Sequence, residues 1–384
     1  MLTDSLLRIN TTWRISDFYT AKSLLQAVEE YPPHLVITAQ DLPQYSGTEV
    51  LDGVRALAPQ TIRILIATDT FRPHKLASAH QYLARPYNPI DFQQRILSAI
   101  DAQEHLQNPD LTNLVTALQS FPVIPHVQAQ LLRQLDNDNV NMVDVACQLQ
   151  QDGGILTKVI QMANSPLFSA GDTVSDGQDA LLLLGTNQIK SLLLSLHVFR
   201  TYDALSFPIM PIKAIWQHCW DTANVAKNLC KLSGNTDDIS AAFFASLVHN
   251  LGRLILIENQ ASRYHKTCLC ARDMHIPLYQ AEITEFGVQS SELTGFMLRL
   301  WGIDSNIIQA VLHHNQPVNN SSHKLTILLH AASIIARYKT APDKFACPTL
   351  DWDLLDKADL SNAVRQLPDF DRIEKDQALL KETN

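Results

Sequence analysis

The sequence predicts an α/β domain followed by an all-α domain, and three observations lead to this fold class. The chain has 384 residues, enough for two domains with at least one large core. Before about residue 105, short β-branched runs alternate with helical stretches, which is typical of a doubly wound parallel sheet. After about residue 110, apolar residues recur at helical spacing, as at Leu131 and Leu135. We therefore expect domains at residues 1–104 and 111–340, followed by short peripheral helices at 341–384.

The elements of the first domain are predicted in order along the chain. Four runs rich in β-branched and aromatic residues are expected to be strands: Trp13–Phe18, His34–Ala39, Thr61–Ala67 and Gln81–Ala84. Three amphipathic stretches between or after them are expected to be helices: Ala21–Glu30, Gly47–Leu57 and Pro89–Ala102. The segment His105–Asp110, with its Asn108-Pro109 pair, is the predicted linker.

Composition excludes several classes of function. The formal net charge of -9, the pI near 5.8 and the lack of a Lys/Arg block disfavour nucleic-acid binding. The longest apolar stretch, Ile239–Ile257, is interrupted by His249, Asn250 and Arg253, and no signal peptide precedes it, so we expect no membrane span. The six cysteines are scattered without a metal-binding pair. These features predict a cytoplasmic protein with reduced thiols.

The segment "PPHLVITAQDLPQYSGTEVL" resembles the third strand and following loop of response-regulator receiver domains. In that family the strand ends in the phosphoacceptor Asp, followed by a Met/Leu-Pro turn and a Gly that opens the next helix. The turn and Gly47 match, but the acceptor position holds Ala39. Asp41 lies two residues further on, in the loop, and is not expected to substitute. Phosphotransfer needs a carboxylate nucleophile, so the resemblance implies a receiver-like fold without a phospho-switch.

Two other receiver landmarks are also altered. The strand "RILIATD" resembles the one that ends in a switch Ser or Thr, yet the matching position is Ala67, with Thr68 as a weak alternative. The family's Lys before a Pro corresponds here to Arg85, which keeps the charge but not the compact ammonium. The resemblance therefore implies a degenerate phosphoacceptor region at Ala39, Asp41, Ala67 and Arg85.

The start of the chain does not supply the first strand of a receiver. Residues Leu2–Ile9 align with the first receiver helix, and the missing strand is the one that carries the acidic pair for Mg²⁺ in that family. We expect either that the natural start codon lies upstream of Met1 or that the sheet closes differently.

The second domain resembles the HDOD family from about Leu111 to Arg337. The stretch "LQSFPVIPHVQAQLLRQLDN" is similar to the opening of HDOD domains. The stretch "QLQQDGGILTKVIQMANSPLFSAG" is similar to their Asp-Pro-x-Leu-Thr…Asn-Ser signature, with Gly153 in place of the Pro. The matching signature positions are Asp152, Lys158, Asn164 and Ser165. We interpret them as capping and helix-ending residues.

HD hydrolases, to which HDOD domains are related, hold metal with a His, a His-Asp pair and a distant Asp. The segment "WQHCWDTANVAKNL" supplies His218, and "AAFFASLVHNLGRLIL" supplies His249 followed by Asn250. The segment "LLHAASIIAR" places Ser333 at the position of the final Asp. Both carboxylates of the quartet are therefore replaced by neutral side chains.

The second metal of HD-GYP phosphodiesterases requires further histidines. One expected position holds Ser290, whereas the adjacent pair His313 and His314 remains. Three or four imidazoles could still hold one Zn²⁺ or Ni²⁺, but hydrolysis also needs the bridging carboxylates. We expect no bound metal, no cofactor and no catalysis. Three glutamates on either side of Ser290 are interpreted as part of a solvated helical face, without an acid–base role: Glu282, Glu285 and Glu292.

The resemblances imply a bacterial-style signal-transduction protein that works as a regulatory scaffold through its HDOD domain. The implied partners are other signalling proteins, with cyclic-di-GMP enzymes and histidine kinases as candidates, and homodimerisation is left open. Two alternatives remain at this point. One is a metal-dependent cyclic-dinucleotide phosphodiesterase of HD type, and the other is a sensor that binds a nucleotide without turnover.

Overall fold

The computed structural model describes most of the chain, and every statement below refers to these residues. They are residues 6–7, 9–68, 75–87, 89–122, 131, 134–135, 141–150, 156, 159–160, 162–164, 174–202, 204–235, 238–317, 324–340, 346, 348–368, 370 and 374. The chain forms two compact units. The first contains Met1–His126 and Phe296–Ile303, and the second contains Val127–Gly295 and Asp304–Asn384.

The first unit contains a parallel sheet of three strands. These are β1 (Leu35–Ala39), β2 (Ile62–Thr68) and β4 (Gln81–Arg85), in the order β1-β2-β4. Two-residue strands β3 (Lys75–Leu76) and β5 (Phe121–Pro122) form a separate antiparallel pair. The predicted α/β fold class is confirmed, as are three of the four predicted strands.

The predicted strand Trp13–Phe18 is wrong. Within the described part of the chain this segment has no strand conformation, and the sheet ends at β1. The segment alternates polar and apolar side chains, but even Trp13 and Ile15 stay partly exposed. A strand gains stability from burying one face against neighbours, and this segment has no such face to bury.

The first unit also contains helices. They are α1 (Ala21–Glu30), α2 (Gly47–Leu57), α3 (Pro89–Glu104) and α4 (Pro109–Ala117). Helix α2 begins with a capping box, in which Ser46 Oγ accepts from the Glu49 amide and Glu49 accepts from the Ser46 amide. Val28, Leu51 and Leu65 lie in the core between helices and sheet. The three predicted helices are confirmed.

The second unit is built from helices, as predicted. They are α5 (Met142–Gln150), α6 (Gly177–Leu184), α7 (Thr186–Tyr202), α8 (Ile212–Leu232), α9 (Ile239–Val248), α10 (Leu251–Asn259), α11 (Ala261–Asp273), α12 (Leu278–Phe286), α13 (Ser290–Leu300, which the first unit shares from Phe296), α14 (Ser305–His313), α15 (Lys324–Thr340), α16 (Trp352–Lys357) and α17 (Ser361–Arg365). Helices α16 and α17 lie in the segment for which peripheral helices were predicted.

Helix α8 is the centre of the second unit. It packs most extensively on α9 and α15, and α14 packs on both of these helices. Helix α8 therefore carries a long buried stripe that includes Ile215, Cys219, Ala226 and Leu229. This arrangement brings polar residues of four helices to one place.

One apolar stretch, Ile239–Asn259, is long and apolar enough to cross a membrane among the residues searched. It is two consecutive helices, α9 and α10, and 83% of its most apolar window is buried inside the protein. Burial of this kind is what a core helix requires.

Candidate functional site

Four histidines of the second unit lie close together. His218 lies on α8, His249 follows α9, His314 follows α14, and His330 lies on α15. The ring centroid of His249 is 5.4 Å from that of His218 and 5.2 Å from that of His314. Ser333 joins the group, because its Oγ is 3.4 Å from Nε2 of His218. The structure thus brings together five of the predicted positions: His218, His249, Asn250, His314 and Ser333.

Hydrogen bonds determine the tautomer of the His249 ring. Its Nδ1 lies 2.6 Å from the carbonyl oxygen of Ser246, so this nitrogen carries the hydrogen and donates. Its Nε2 lies 2.9 Å from Nδ2 of Asn250. An amide nitrogen can only donate, so Nε2 of His249 accepts. The lone pair that could coordinate a metal is therefore occupied by Asn250.

The cluster is held in the neutral state. Burial lowers the pKa of His249 well below its usual value, and neighbouring His314 and His218 lower it further. Burial also lowers the pKa of His314 to about 3 and that of His218 well below its usual value. Moving a charged imidazolium out of water costs free energy, which explains the common direction. At neutral pH the site contains uncharged imidazoles.

The site also contains a residue that sequence reasoning missed. Nδ1 of His330 lies 2.6 Å from the carbonyl oxygen of His314. His330 is three residues before Ser333 on α15, so both side chains share one helix face. That spacing is the signal that could have identified it. His313, which was predicted, is half-buried and precedes His314 at the end of α14.

Glu282 is buried, so the predicted solvated helical face is wrong at this residue. Its side chain is 0% exposed and accepts hydrogen bonds from the Tyr264 hydroxyl at 2.6 Å and the Ser290 amide at 2.9 Å. The Ser290 hydroxyl donates to the same carboxylate at 2.8 Å, and Nε of Arg253 forms an ion pair with it at 3.6 Å. Ser290 therefore belongs to this carboxylate network, which lies beside the histidines.

The position of Glu282 on its helix explains its burial. Leu278 and Phe286 are four residues before and after it, and both are buried. Residues at this spacing share one face of a helix, so Glu282 lies on the apolar stripe that α12 turns inward. Glu285 lies on the other side of α12, where it forms an exposed ion pair with Arg263.

Gly252 allows α10 to approach α13 closely. A Cβ atom at this position would lie 1.9 Å from the carbonyl oxygen of Ser290. The Gly252 amide also donates to Oγ1 of Thr294 at 2.8 Å. The glycine next to the His249-Asn250 pair therefore has a packing role.

We expect Gly252→Ala to lower the free energy of unfolding by about 3 kcal/mol, because backbone atoms on both helices would have to move apart. Alanine ordinarily stabilises a helix relative to glycine. A lower free energy of unfolding in this variant would therefore show that α10 and α13 are too close for a side chain. Urea denaturation followed by circular dichroism would measure it. Gly295→Ala is the matched control, because its added Cβ would meet only side-chain atoms of Leu312, which can rotate. Equal stability of both variants would contradict the prediction.

A small cleft borders the cluster within the second unit. The empty space in it and in the open solvent at its mouth is about 360 Å³. The residues that line it are Arg253, Leu278, Tyr279, His314, Asn315, His330, Ser333, Ile334, Arg337 and Pro348. Two guanidinium groups are among them, and none of the described lining residues is an aspartate or glutamate.

The residues present do not fit the metal centre of HD hydrolases. Among the described residues, no group of three or more His, Cys, Asp or Glu side chains is arranged to hold a metal ion. Asn250 uses the coordinating lone pair of His249, and Ser333 supplies a hydroxyl where a carboxylate would be needed. Neutral amide and hydroxyl groups cannot offset the charge of a hydrolytic metal as carboxylates do.

The residues predicted to form a degenerate phosphoacceptor region lie at one edge of the parallel sheet. Ala39 ends β1, Ala67 is buried near the end of β2, and Arg85 ends β4, where it pairs in register with Thr68. Asp41 is exposed in the following loop and forms an isolated bridge with Ser46. The carboxyl ends of the strands therefore meet here, as in an open α/β sheet.

Gly47 lets the end of β1 and the start of α2 lie close together at this edge. A Cβ at Gly47 would lie 2.1 Å from the carbonyl oxygen of Ala39, so the helix start and strand end approach too closely for a side chain. The Gly47 amide also donates to the Gln40 carbonyl at 2.8 Å.

Of the four signature positions, Asn164 is described. Its amide nitrogen donates to the Val174 carbonyl at 2.7 Å, and its amide oxygen accepts from the Val174 amide at 2.8 Å. The Asn164 side chain therefore binds the backbone of a residue ten positions later, and not a carbonyl of its own helix. Asp152, Lys158 and Ser165 lie outside the described residues.

Comparisons with known proteins agree with both parts of the fold. The family model of the HDOD domain matches residues 121–317. A solved HDOD domain protein of unknown function from Geobacter sulfurreducens superposes with a TM-score of 0.57 at 18% identity, covering 71% of this chain and 96% of that one. A proposed signal transduction protein from Marinobacter aquaeolei VT8 superposes with a TM-score of 0.56 at 16% identity. The match covers 99% of this chain and 87% of that one. At these identities the likeness concerns the fold.

Sequence relatives include response regulators, which match the N-terminal region. The transcriptional regulatory protein KdpE of Mycobacterium tuberculosis is 34% identical over 123 residues, which are 30% of this chain and 54% of that protein. An uncharacterised protein of Treponema pallidum is 21% identical over 206 residues, covering 53% of this chain and 40% of that protein. The chain thus spans about half the length of the curated relatives it matches.

Proposed function

This chain belongs to the HDOD family, and from that premise we propose that it is a non-catalytic signal-transduction protein. It regulates other signalling proteins through its helical domain, and its receiver-like unit serves as a docking or dimerisation module. Family membership supports the link to signalling, because the HDOD model covers about half of the chain. The absence of catalysis is inferred from the side chains of the site.

One observation carries the proposal. The amide of Asn250 donates to Nε2 of His249 at 2.9 Å, where an HD hydrolase would need a carboxylate and a free lone pair. A metal that lowers the pKa of its bound water needs several strong ligands, of which anionic oxygens offset the cation's charge. With Ser333 at the second carboxylate position, the cluster is a hydrogen-bonded network of neutral groups.

The receiver-like unit supports the same conclusion. Ala39 occupies the position of the phosphoacceptor, and a methyl group cannot accept a phosphoryl group. The unit therefore transmits no phosphorylation signal at this position. Its partners are other signalling proteins, with cyclic-di-GMP enzymes and histidine kinases as the candidates. The four described cysteines are unpaired, which suits a cytoplasmic protein.

The direct test is metal content and hydrolysis. The full chain, purified without a metal-chelating tag or chelators, is expected to contain less than about a tenth of a transition metal per chain, because a working site needs near-full occupancy. It is also expected to leave cyclic-di-GMP intact when Mn²⁺, Fe²⁺ or Zn²⁺ is added. Near-stoichiometric metal together with hydrolysis would overturn the proposal.

Restoring the carboxylates should restore metal binding. We expect the double variant Asn250→Asp with Ser333→Asp to bind Zn²⁺ or Mn²⁺ at least ~10-fold more tightly than the natural chain, because two anionic ligands join the imidazoles. Isothermal titration calorimetry of both proteins would measure the gain. Asn250→Gln with Ser333→Thr serves as the control, since it alters the same positions without adding charge. A double variant that binds no more tightly than this control would contradict the interpretation of the site.

A further inference from the structure

Helix α13 belongs to both units of the chain. Its residues up to Gly295 lie in the second unit, and the segment Phe296–Ile303 lies in the first. Consecutive turns of an α-helix share one ladder of hydrogen bonds, so a helix of this length moves as a rigid element. The contacts that hold each end of α13 are therefore connected through its backbone.

Glu282 caps the N-terminal end of α13 within the second unit. Its buried carboxylate accepts from the Ser290 amide at 2.9 Å and from the Ser290 hydroxyl at 2.8 Å. The first amides of a helix have no partner inside the helix, and the positive end of the helix dipole favours an anion. The Glu282 carboxylate thus stabilises α13 at the end where a negative charge has the largest effect.

The same half of α13 is hydrogen-bonded to residues next to Asn250. Oγ1 of Thr294 accepts from the Gly252 amide at 2.8 Å and lies 3.3 Å from the carbonyl oxygen of His249. The close approach at Gly252 leaves no room for a side chain between α10 and α13. A displacement of α13 would therefore break contacts of the candidate site.

The other half of α13 packs inside the first unit. Phe296 is 2% exposed, and its ring centroid lies 6.4 Å from that of His80. Gln81, the first residue of β4, donates from its buried side-chain amide to the carbonyl oxygen of Leu300. The last carbonyl groups of a helix have no partner inside the helix, and Gln81 supplies one. Strand β4 thus binds the C-terminal end of α13.

Helix α3 of the first unit contacts the same end of α13. Nη1 of Arg299 forms an ion pair with Asp101 at 3.1 Å, and the Arg299 side chain is only 7% exposed. A Cβ atom at Gly302 would lie 2.8 Å from Oγ of Ser98, so the turn that follows α13 lies directly against α3. The C-terminal end of α13 is therefore held by both β4 and α3.

We propose that α13 couples the stability of the two units, so that weakening its N-terminal cap at Glu282 also destabilises β4 and α3. Hydrogen bonds and ion pairs act over a few ångströms, so a helix that is displaced at one end loses its partners at the other. Thermodynamic linkage makes the coupling reciprocal. Weakening the contacts of α13 in the first unit must destabilise the candidate site in the second.

This coupling goes beyond the proposed function and does not depend on the absence of catalysis. It provides a physical route by which a partner bound to the receiver-like unit changes the helical domain, and the reverse. Hydrogen exchange reports the opening of backbone hydrogen bonds, whereas metal content and hydrolysis report the chemistry of the site. The two proposals can therefore fail separately.

The test is hydrogen–deuterium exchange of the full chain, measured by mass spectrometry. Ser290→Ala removes one hydrogen bond to Glu282 and keeps the amide bond, so we expect a folded protein with at least ~10-fold faster exchange in α10. Exchange in α13 and β4 should become at least ~5-fold faster as well. Glu282→Gln should increase the rates further in the same segments.

Glu285→Gln is the matched control for these two variants. Its side chain is exposed and pairs with Arg263 on the surface, so the exchange rates of α10, α13 and β4 should stay within about 2-fold of those of the natural chain.

Asp101→Asn tests the coupling in the reverse direction. Asp101 is 47% exposed, so its replacement should leave the protein folded while the buried Arg299 loses its anionic partner. We expect exchange in α10 and α12 of the second unit to become at least ~5-fold faster. Glu104→Gln, three residues later on α3 at an exposed side chain, is the control and should change neither helix.

The outcomes decide between coupled and independent units. Unchanged exchange in β4 in both Ser290→Ala and Glu282→Gln would overturn the inference, as would unchanged exchange in α10 in Asp101→Asn. Faster exchange in β4 without faster exchange in α13 would also overturn it, because the coupling would then bypass the helix. Independent units would leave the non-catalytic function standing, and metal-dependent hydrolysis would leave the coupling standing.

Discussion

Glu282→Gln is expected to lower the free energy of unfolding by about 3–5 kcal/mol, the usual cost of leaving a buried charge uncompensated. The substitution keeps the size of the side chain but removes the negative charge beside Arg253, which lies 3.6 Å away. It also places an amide NH₂ among groups that all donate, namely the Tyr264 hydroxyl and the amide and hydroxyl of Ser290. Buried donors without acceptors add to the loss. Urea denaturation of the full chain would measure the change.

Glu285→Gln is the matched control for this experiment. It is the same substitution three residues later on α12, at a side chain that is 44% exposed and paired with Arg263 at 2.6 Å. Exposed ion pairs contribute little, so we expect a change within about 0.5 kcal/mol. A loss at Glu282 no larger than that at Glu285 would show that the buried network does not stabilise the domain.

Acidification should destabilise the helical domain steeply below about pH 6.5. Burial lowers the pKa of His314 to about 3 and that of His218 well below 6.5, and burial with neighbouring His314 and His218 lowers that of His249 well below 6.5. In the unfolded chain these three rings take up a proton near pH 6.5, while in the folded protein they do not. The unfolded state thus binds more protons, so stability is fully present above pH 6.5 and falls as the pH decreases towards the folded pKa values.

The size of the expected loss in stability follows from the number of protons that the histidines take up on unfolding. Three rings that protonate only on unfolding, those of His218, His249 and His314, give a slope of about 4 kcal/mol per pH unit, or a loss of about 6 kcal/mol between pH 7 and pH 5. Urea denaturation at a series of pH values would measure it. His314→Asn keeps a donor for the Val311 carbonyl but cannot titrate, so its slope should be smaller by about one proton. An unchanged slope in this variant would contradict the neutral, buried state of His314.

Local patterns were sufficient to predict most of the secondary structure. The helices Ala21–Glu30 and Gly47–Leu57 have the predicted bounds, because caps such as the Ser46–Glu49 pair are encoded within a few neighbouring residues. The strand predicted at Trp13–Phe18 failed because a strand needs a neighbour, which no local pattern supplies.

Residues of the candidate site could be predicted from the sequence only where they match a known motif. His218, His249, Asn250, His314 and Ser333 were found through their places in the HD pattern, and the structure brings them together. Glu282 and His330 belong to no such motif. Glutamate is rarely buried without a partner, so an acidic residue on a helix is by default interpreted as exposed.

The sequence by itself determined the order of an α/β and an all-α domain, and it predicted the loss of the phosphoacceptor at Ala39 and of both metal carboxylates. These conclusions depend on residue identity and on periodicity, both of which are local. The tertiary structure alone decided that Asn250 occupies the lone pair of His249, that Glu282 is buried beside Arg253, and that Arg253 and Arg337 line one cleft. Each of these facts depends on distances between helices far apart in the chain, because hydrogen bonds and ion pairs act only over a few ångströms.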